Sequence, residues 1–207
     1  MTETTWNRIE DARERWNVLR HPFYRRWSAG ELSAGELRRY SGQYRHAVEA
    51  IADVSEKAAD AAPGRPELRR HADEERAHVA LWDRFLAAAG GDAADPPTPE
   101  TRECVRAWSA GRSLADRLVT LYAIESGQPE ISRIKRDGLV ERYGFADGEG
   151  IAYFRLHEEL DTEHAAEART LVEELTGDDD RDRLVAVAEA AFRANWRLLD
   201  GVAPGAA

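Results

Sequence analysis

Three side chains that can bind a metal recur at regular spacing in HEELDTEH, residues 157–164. An α-helix turns by about 100° per residue, so His157, Asp161 and His164 would point in one direction within a sector of about 60°. Imidazole nitrogen and carboxylate oxygen together suit iron, manganese or zinc. An exposed polar stripe is the alternative interpretation of this motif taken alone. The remaining acids fall largely on other sides of the helix and are predicted to be solvated: Glu158, Glu159 and Glu163.

A second segment, HADEERAH at residues 71–78, repeats the spacing with His71, Glu75 and His78. Four of the six histidines of the chain therefore lie in two clusters with one pattern. A Glu-x-x-His pair, here Glu75 and His78, is also how helical bundles place two ligands on a pair of metals. Charged residues surround the motif, which leaves open a charged outer face with one of its histidines as an ordinary surface group.

Glu125 is a third candidate ligand, at the end of the apolar run LVTLYAIE. A carboxylate that faces a helical core must be paired, protonated or bound to a cation, although Glu125 could instead point outward near Gly127 and Pro129. Together the three segments offer three or four histidines and three carboxylates, the ligand count of a two-metal carboxylate site. Cys104 has no histidine nearby in sequence and is predicted to be a buried structural thiol, not a nucleophile.

The elements that must position these residues are predicted to be helices, because apolar residues recur every three or four positions and no alternating β-branched run stands out. Ser33, followed by Glu36 three residues later, predicts a capping box at one helix start. Proline and glycine signals divide the chain into seven helices of one all-α domain over residues 1–207, an antiparallel bundle with Pro129 as a kink. The predicted helices span residues 5–19, 33–61, 66–89, 99–110, 113–143, 149–176 and 181–200.

Composition limits the function classes. The 207 residues are 43% hydrophobic and 33% charged, as in a globular domain, and no uncharged run is long enough for a membrane span. A formal net charge of −10 argues against a large nucleic-acid footprint. The chain start lacks the basic and then apolar pattern of a secretory signal, and one cysteine cannot form an internal disulfide, so the cytoplasm is the expected location. The sequence predicts no nucleic-acid or membrane partner and leaves a homodimer open.

Four stretches carry a resemblance to a known family. In order along the chain, they are HPFYRRWSAGELSAGELRRY, DEERAHVALWDRFLAAAG, SLADRLVTLYAIESGQPEISRIK and YFRLHEELDTEHA. They are similar to the haem-oxygenase-like dimetal oxidases, and within them to the CADD-like branch, named for the Chlamydia protein associating with death domains. The resemblance implies a seven-helix bundle with the haem-oxygenase-like (TenA/PqqC-like) fold. It also implies two metal ions, an iron pair or iron with manganese, which use dioxygen and an external electron donor.

The family's ligand pattern is a carboxylate and a histidine on one helix, a glutamate on the next and H-x3-D-x2-H on a third. The acidic pair lies a few residues closer to its histidine here than in CADD-like proteins, so the choice of carboxylate stays open. Alignment favours Glu74, the i, i+3 geometry favours Glu75, and His71 becomes a bystander or a residue around the ligands. The implied metal ligands are Glu74 or Glu75, His78, Glu125, His157, Asp161 and His164.

The resemblance also implies a function. CADD-like proteins supply 4-aminobenzoate for folate synthesis, taking the ring from one of their own tyrosines in a single turnover, with a lysine as nitrogen donor. The matching residues here are Tyr24 as the consumed side chain, Tyr40 as a second tyrosine and Lys135 as the amine. Packing in the core for the tyrosines and a surface position for Lys135 are the alternatives. Lys135 is one of two lysines and follows Glu125 by ten residues, on the same predicted helix.

Three other functions stay open at this level. A related oxidase acting on a small exogenous amine or a fatty acid would need a substrate cavity and would make Tyr24 dispensable. A metal-free relative of the thiaminase or pyrroloquinoline-quinone-synthase type shares the expected fold, but a thiaminase needs an active-site cysteine and Cys104 lies on another helix. A helical interaction module without catalysis would make the alignment of the ligand-type residues an accident.

Overall fold

The structure, a computed structural model, describes residues 3–203. The predicted domain range of 1–207 therefore has its ends, residues 1–2 and 204–207, outside the described residues. Between residues 3 and 203 the chain is helical and has no β-strand. Its α-helices are α1 (Glu3–Arg15), α2 (Pro22–Ala29), α3 (Ala34–Ala61), α4 (Pro66–Ala88), α5 (Pro99–Ser109), α6 (Leu114–Glu125), α7 (Gln128–Arg142), α8 (Ala152–Leu175) and α9 (Arg181–Val202).

The all-α class is confirmed, but the count of seven is wrong, because residues 3–203 contain nine α-helices. One additional helix is α2. Pro22 lies in its first turn, where the missing N–H has no intrahelical partner to lose. The side chain of His21 caps the helix by accepting a hydrogen bond from the Phe23 N–H at 3.0 Å. Gly30, with φ of 74°, ends it in the left-handed conformation that favours glycine.

The other additional helix arises because the predicted range 113–143 is two helices. Glu125 ends α6 and Gln128 begins α7, so Pro129 lies in a new first turn and is not a kink. In one continuous helix the residue at 129 would donate to the Glu125 carbonyl, which a proline cannot do. The prediction that Glu125 and Lys135 share a helix is therefore wrong.

Packing brings three ligand-bearing helices together. α3 lies along α4, and α8 packs against α4, α6 and α7, while α9 covers α5, α6 and α1.

Other features predicted from the sequence can be checked in the same helices. The predicted capping box of Ser33 and Glu36 at the start of α3 is confirmed. Cys104 is buried without a disulfide, as expected for a structural thiol, and burial raises the pKa of its thiol. Within residues 3–203 we find no helix with the length and hydropathy that crossing a bilayer requires.

Candidate dimetal centre

Helices α4, α6 and α8 direct seven ligand-type side chains into one buried cluster. The Nε2 atom of His71 lies 2.9 Å from Oε1 of Glu125, which joins α4 to the end of α6. The ring centroids of His71 and His164 are 4.2 Å apart, which joins α4 to α8. Each member is at most 6% exposed: His71, Glu75, His78, Glu125, His157, Asp161 and His164.

Two overlapping groups within the cluster have the spacing of metal ligands. One contains His71, Glu75 and His164, and the other contains Glu75, His78 and His157; in each group the ligand atoms lie within 4.8 Å of one another. Glu75 belongs to both groups, so its carboxylate could supply a ligand atom to each. Asp161 and Glu125 flank the first group, with Oδ1 of Asp161 3.9 Å from Nδ1 of His164.

The unpaired polar atoms of the cluster have the chemistry of metal ligands. Apart from His71 Nε2 and Glu125 Oε1, which contact each other, four carboxylate oxygens and two imidazole nitrogens are buried here without a hydrogen-bond partner among residues 3–203. Buried polar atoms normally have partners, and a metal cation would supply one to each of these atoms. The atoms are Glu75 Oε2, Glu125 Oε2, both carboxylate oxygens of Asp161, Nε2 of His157 and Nδ1 of His164.

The carboxylates of the cluster perturb one another strongly. Burial, with Glu125 and Glu75 nearby, raises the pKa of Asp161 well above its ordinary value. Burial would also raise the pKa of Glu75, but a hydrogen bond with His78 and the adjacent histidines outweigh it and lower the pKa to about 2. Several carboxylates that crowd into one dry site repel each other unless cations neutralise them.

The histidines divide into two environments. Burial alone would lower the pKa of His71, but the carboxylates of Glu125, Glu75 and Glu74 outweigh it and raise the pKa to about 9. Burial dominates at His157, where it lowers the pKa to about 4 and keeps the imidazole neutral. A neutral imidazole is the form that binds a metal.

Several residues lie elsewhere than the sequence led us to expect. Glu75 faces the cluster, whereas the side chain of Glu74 is 35% exposed and contacts Nε2 of His164 from outside at 3.1 Å. His71, expected to be a bystander, lies among the ligand-type atoms. Of the acids predicted to be solvated, Glu159 and Glu163 are exposed, and the half-buried Glu158 pairs with Arg136.

An aromatic box next to the cluster holds the three residues predicted to carry the chemistry. The hydroxyl groups of Tyr24 and Tyr40 are hydrogen bonded at 2.8 Å. The Nζ atom of Lys135 lies 5.4 Å from the Tyr24 ring centroid, 5.6 Å from that of Tyr40 and 4.7 Å from that of Tyr44. Phe154 completes the box at 5.6 Å. Lys135 is 1% exposed, so its surface alternative is wrong.

Sequence reasoning missed Tyr44 and Phe154 as members of the box. Tyr44 follows Tyr40 by one helical turn, a spacing that could have indicated a shared face. It also missed Tyr153, whose ring stacks on the His157 ring at 3.9 Å and whose carbonyl accepts from Nδ1 of His157 at 2.8 Å. Tyr153 precedes His157 by four residues, which is the same one-turn signal.

Burial governs protonation inside the box. It lowers the pKa of Lys135 to about 7, although Asp161 opposes this by favouring the ammonium form. Four aromatic rings near Nζ also favour a cation, so the box does not exclude the charged form. Burial raises the pKa of Tyr24 and of Tyr40 well above the ordinary value, so both phenols keep their protons near neutral pH.

The structure also contains a cavity of about 370 Å³ that none of the seven ligand-type residues lines. Its wall includes Ile124 and Ser126, the sequence neighbours of Glu125, and Thr162, the sequence neighbour of Asp161. Trp108 and Phe192 supply aromatic surface in the same wall. The cavity is large enough for a small organic molecule, and its wall combines apolar with polar and charged side chains.

Comparisons with known proteins bear on the fold and the family of the chain. A haem-oxygenase-like family described as "iron-containing redox enzyme" matches residues 71–196. The 4-aminobenzoate synthases of Chlamydia muridarum and Chlamydia trachomatis are each 32% identical over 198 residues, which cover 89% of this chain and 84% and 85% of theirs. A solved TenA homologue from Pseudomonas syringae superimposes with a TM-score of 0.84 at 21% identity, over 97% of this chain and 91% of that one. The chain belongs to the haem-oxygenase-like family of iron-containing redox enzymes.

Proposed function

We propose that this enzyme is an oxygen-activating dimetal oxygenase that makes 4-aminobenzoate from its own Tyr24. The names of its relatives support 4-aminobenzoate as the product. The observation that carries the proposal is the aromatic box, in which Tyr24, Tyr40 and the amine of Lys135 are buried together beside the ligand cluster. A substrate that is part of the chain needs no binding step, because it is already held in place. Such a protein would act once.

The metal ions, an iron pair or iron with manganese, would be held by the seven buried side chains of the cluster, in which Glu75 belongs to both ligand groups. They would supply the redox chemistry that activates dioxygen when an external donor provides electrons. All seven ligand-type groups lie on rigid helices, so the site is preorganised.

The residues of the box each have a task that follows from their surroundings. Tyr24 keeps its phenol proton, and the 2.8 Å hydrogen bond between its hydroxyl and that of Tyr40 holds the Tyr24 ring in place beside Lys135. Burial lowers the pKa of Lys135 to about 7, which favours the neutral amine more than in a solvated lysine. Only a neutral amine has the lone pair that a nitrogen donor requires. The closed walls of the box exclude water from both groups.

The test is to supply the protein with iron and manganese, a reductant and oxygen, and to measure 4-aminobenzoate together with the mass of the chain. We expect product and a mass loss that peptide mapping assigns to Tyr24, and no product from Tyr24→Phe. Tyr122→Phe is the matched control, because Tyr122 is a buried tyrosine outside the box that contacts Trp6 and Glu10. Equal product from Tyr24→Phe and the parent would refute self-sacrifice.

The source of nitrogen can be tested by isotope labelling, because the chain has only two lysines. Protein grown with lysine labelled by ¹⁵N at the side chain should yield 4-aminobenzoate one mass unit heavier. Lys135→Arg should yield none, while Lys57→Arg should behave as the parent, since Lys57 is exposed. Unlabelled product from the labelled protein would show that the nitrogen comes from elsewhere.

A second candidate is an oxidase of the same centre that acts on a small exogenous amine or a fatty acid. The cavity of about 370 Å³, lined by the sequence neighbours of Glu125 and Asp161, favours it, because that function requires room for a substrate. It predicts many turnovers and full activity in Tyr24→Phe. Oxygen consumption that exceeds one equivalent per chain in the presence of such a compound would select this candidate.

A further inference from the structure

We propose that Glu74, outside the ligand cluster, positions His164 so that its Nδ1 atom faces the metals. The inference rests on the proposed dimetal function and adds to it a residue that acts through a ligand. Oε2 of Glu74 lies 3.1 Å from Nε2 of His164. A carboxylate can only accept a hydrogen bond, so Nε2 must carry the ring proton. The lone pair of the neutral ring then lies on Nδ1.

The inner side of the ring agrees with this assignment. Nδ1 of His164 is buried without a hydrogen-bond partner among the described residues, and it lies 3.9 Å from Oδ1 of Asp161. That distance is too long for a hydrogen bond. The one nitrogen that is free of a partner is therefore the one that faces the ligand-type atoms.

His157 shows the opposite arrangement within the same motif. Its Nδ1 lies 2.8 Å from the carbonyl oxygen of Tyr153, and its unpaired Nε2 faces the cluster. The two histidines thus present different nitrogens, and each is held by an outer acceptor that fixes the tautomer. For His157 the acceptor is main chain, whereas for His164 it is a side chain that mutation can remove.

Glu74 is itself held in place from the surface. Nε of Arg70 lies 4.0 Å from its carboxylate, and Arg70 also binds Glu167 at 3.0 Å. Adjacent acids in the sequence therefore have separate tasks, with Glu75 among the ligand-type atoms and the partly exposed Glu74 orienting a histidine from outside.

The first test measures the tautomer directly, in the metal-free protein, from the ¹⁵N shifts and couplings of the His164 ring. We expect the Nε2–H tautomer in the parent and a mixture of tautomers in Glu74→Ala. Glu167→Ala is the matched control, because Glu167 is about as exposed as Glu74 and also binds Arg70, but has no contact with His164 in the structure. This substitution should leave the tautomer of His164 unchanged. An Nδ1–H tautomer in the parent, or an unchanged ring in Glu74→Ala, would overturn the inference.

The second test measures iron(II) and manganese(II) binding by anaerobic equilibrium dialysis. Loss of an outer partner of a histidine ligand typically weakens metal binding by about 10- to 100-fold. We expect Glu74→Ala to weaken metal binding by this factor at one of the two sites. We expect Glu167→Ala to bind metal at both sites with the affinity of the parent. Equal weakening by both substitutions would contradict a role through His164. Failure of the parent to bind any metal would refute the proposed function, while the tautomer measurement would still decide the role of Glu74.

Discussion

Replacing Lys135 with methionine should change how stability depends on pH. Lys135 is 1% exposed, and burial lowers its pKa from 10.5 to about 7. Between these values the unfolded chain binds a proton that the folded protein does not. The free energy of unfolding therefore rises with pH in this window, and the stability present at high pH is lost as pH falls towards 7.

The size of the effect follows from the shift. One pKa unit corresponds to about 1.4 kcal/mol, so between pH 7.5 and 9 the parent should gain about 2 kcal/mol of stability from this residue alone. Lys135→Met keeps a similar volume, lacks the titrating group and should not show that gain. Every other titrating group is common to both proteins, so their contributions largely cancel in the difference.

The assay is urea unfolding of the metal-free protein at several pH values, followed by circular dichroism. The difference in unfolding free energy between Lys135→Met and the parent should shrink by about 2 kcal/mol from pH 7.5 to 9. Lys57→Met controls for the loss of a lysine from an exposed site and should run parallel to the parent. Parallel curves for Lys135→Met as well would show that Lys135 stays charged in the box, and the argument for a neutral nitrogen donor would fail.

Three further outcomes are expected. Gly138→Ala should lower stability in thermal unfolding, because the added Cβ would lie 2.7 Å from Nε1 of the buried Trp27. Overpacking costs about 1–3 kcal/mol, which exceeds or offsets the gain in helix propensity of about 1 kcal/mol. Gly64→Ala is the control, because nothing lies within 4 Å of the Cβ that it adds. Burial lowers the pKa of His21, so below about pH 6.5 the imidazole takes up a proton more readily in the unfolded chain than in the folded protein. The free energy of unfolding measured in urea should therefore fall more from pH 7.5 to 5.5 in the parent than in His21→Asn. Anaerobic iron(II) should raise the melting temperature of the parent but not of Glu75→Gln, and equal rises would contradict a shared ligand.

The parts of the centre that could be predicted from sequence are those that depend on a single helix. His157, Asp161 and His164 share a face because helical periodicity alone places them there, and the same holds for His71, Glu75 and His78. Which of two adjacent acids enters the cluster depends on how α4 is rotated against α8, and the i, i+3 geometry with His78 already favoured Glu75. The contact of His71 with Glu125 depends on where α6 ends, which no spacing within α4 can indicate.

The contacts among Tyr24, Tyr40 and Lys135 also depend on how different helices pack, which spacing within one helix cannot indicate. Tyr24 and Tyr40 are on α2 and α3, and only the packing of those helices brings their hydroxyl groups together. Counting turns from Glu125 locates Lys135 only if one helix carries both, and it does not, because α6 ends at Glu125 and α7 begins at Gln128. Its proximity to the tyrosines comes from α7 packing on α2, where the indole of Trp27 donates to the Lys135 carbonyl at 3.3 Å.

Asp161 links the ligand cluster to the amine. It is a ligand-type residue of the cluster, and its carboxylate is also the charge that favours the ammonium form of Lys135 against burial. A carboxylate that binds a cation has much of its charge neutralised. Metal binding by Asp161 would therefore weaken this interaction, and burial would then favour the neutral amine that a nitrogen donor requires.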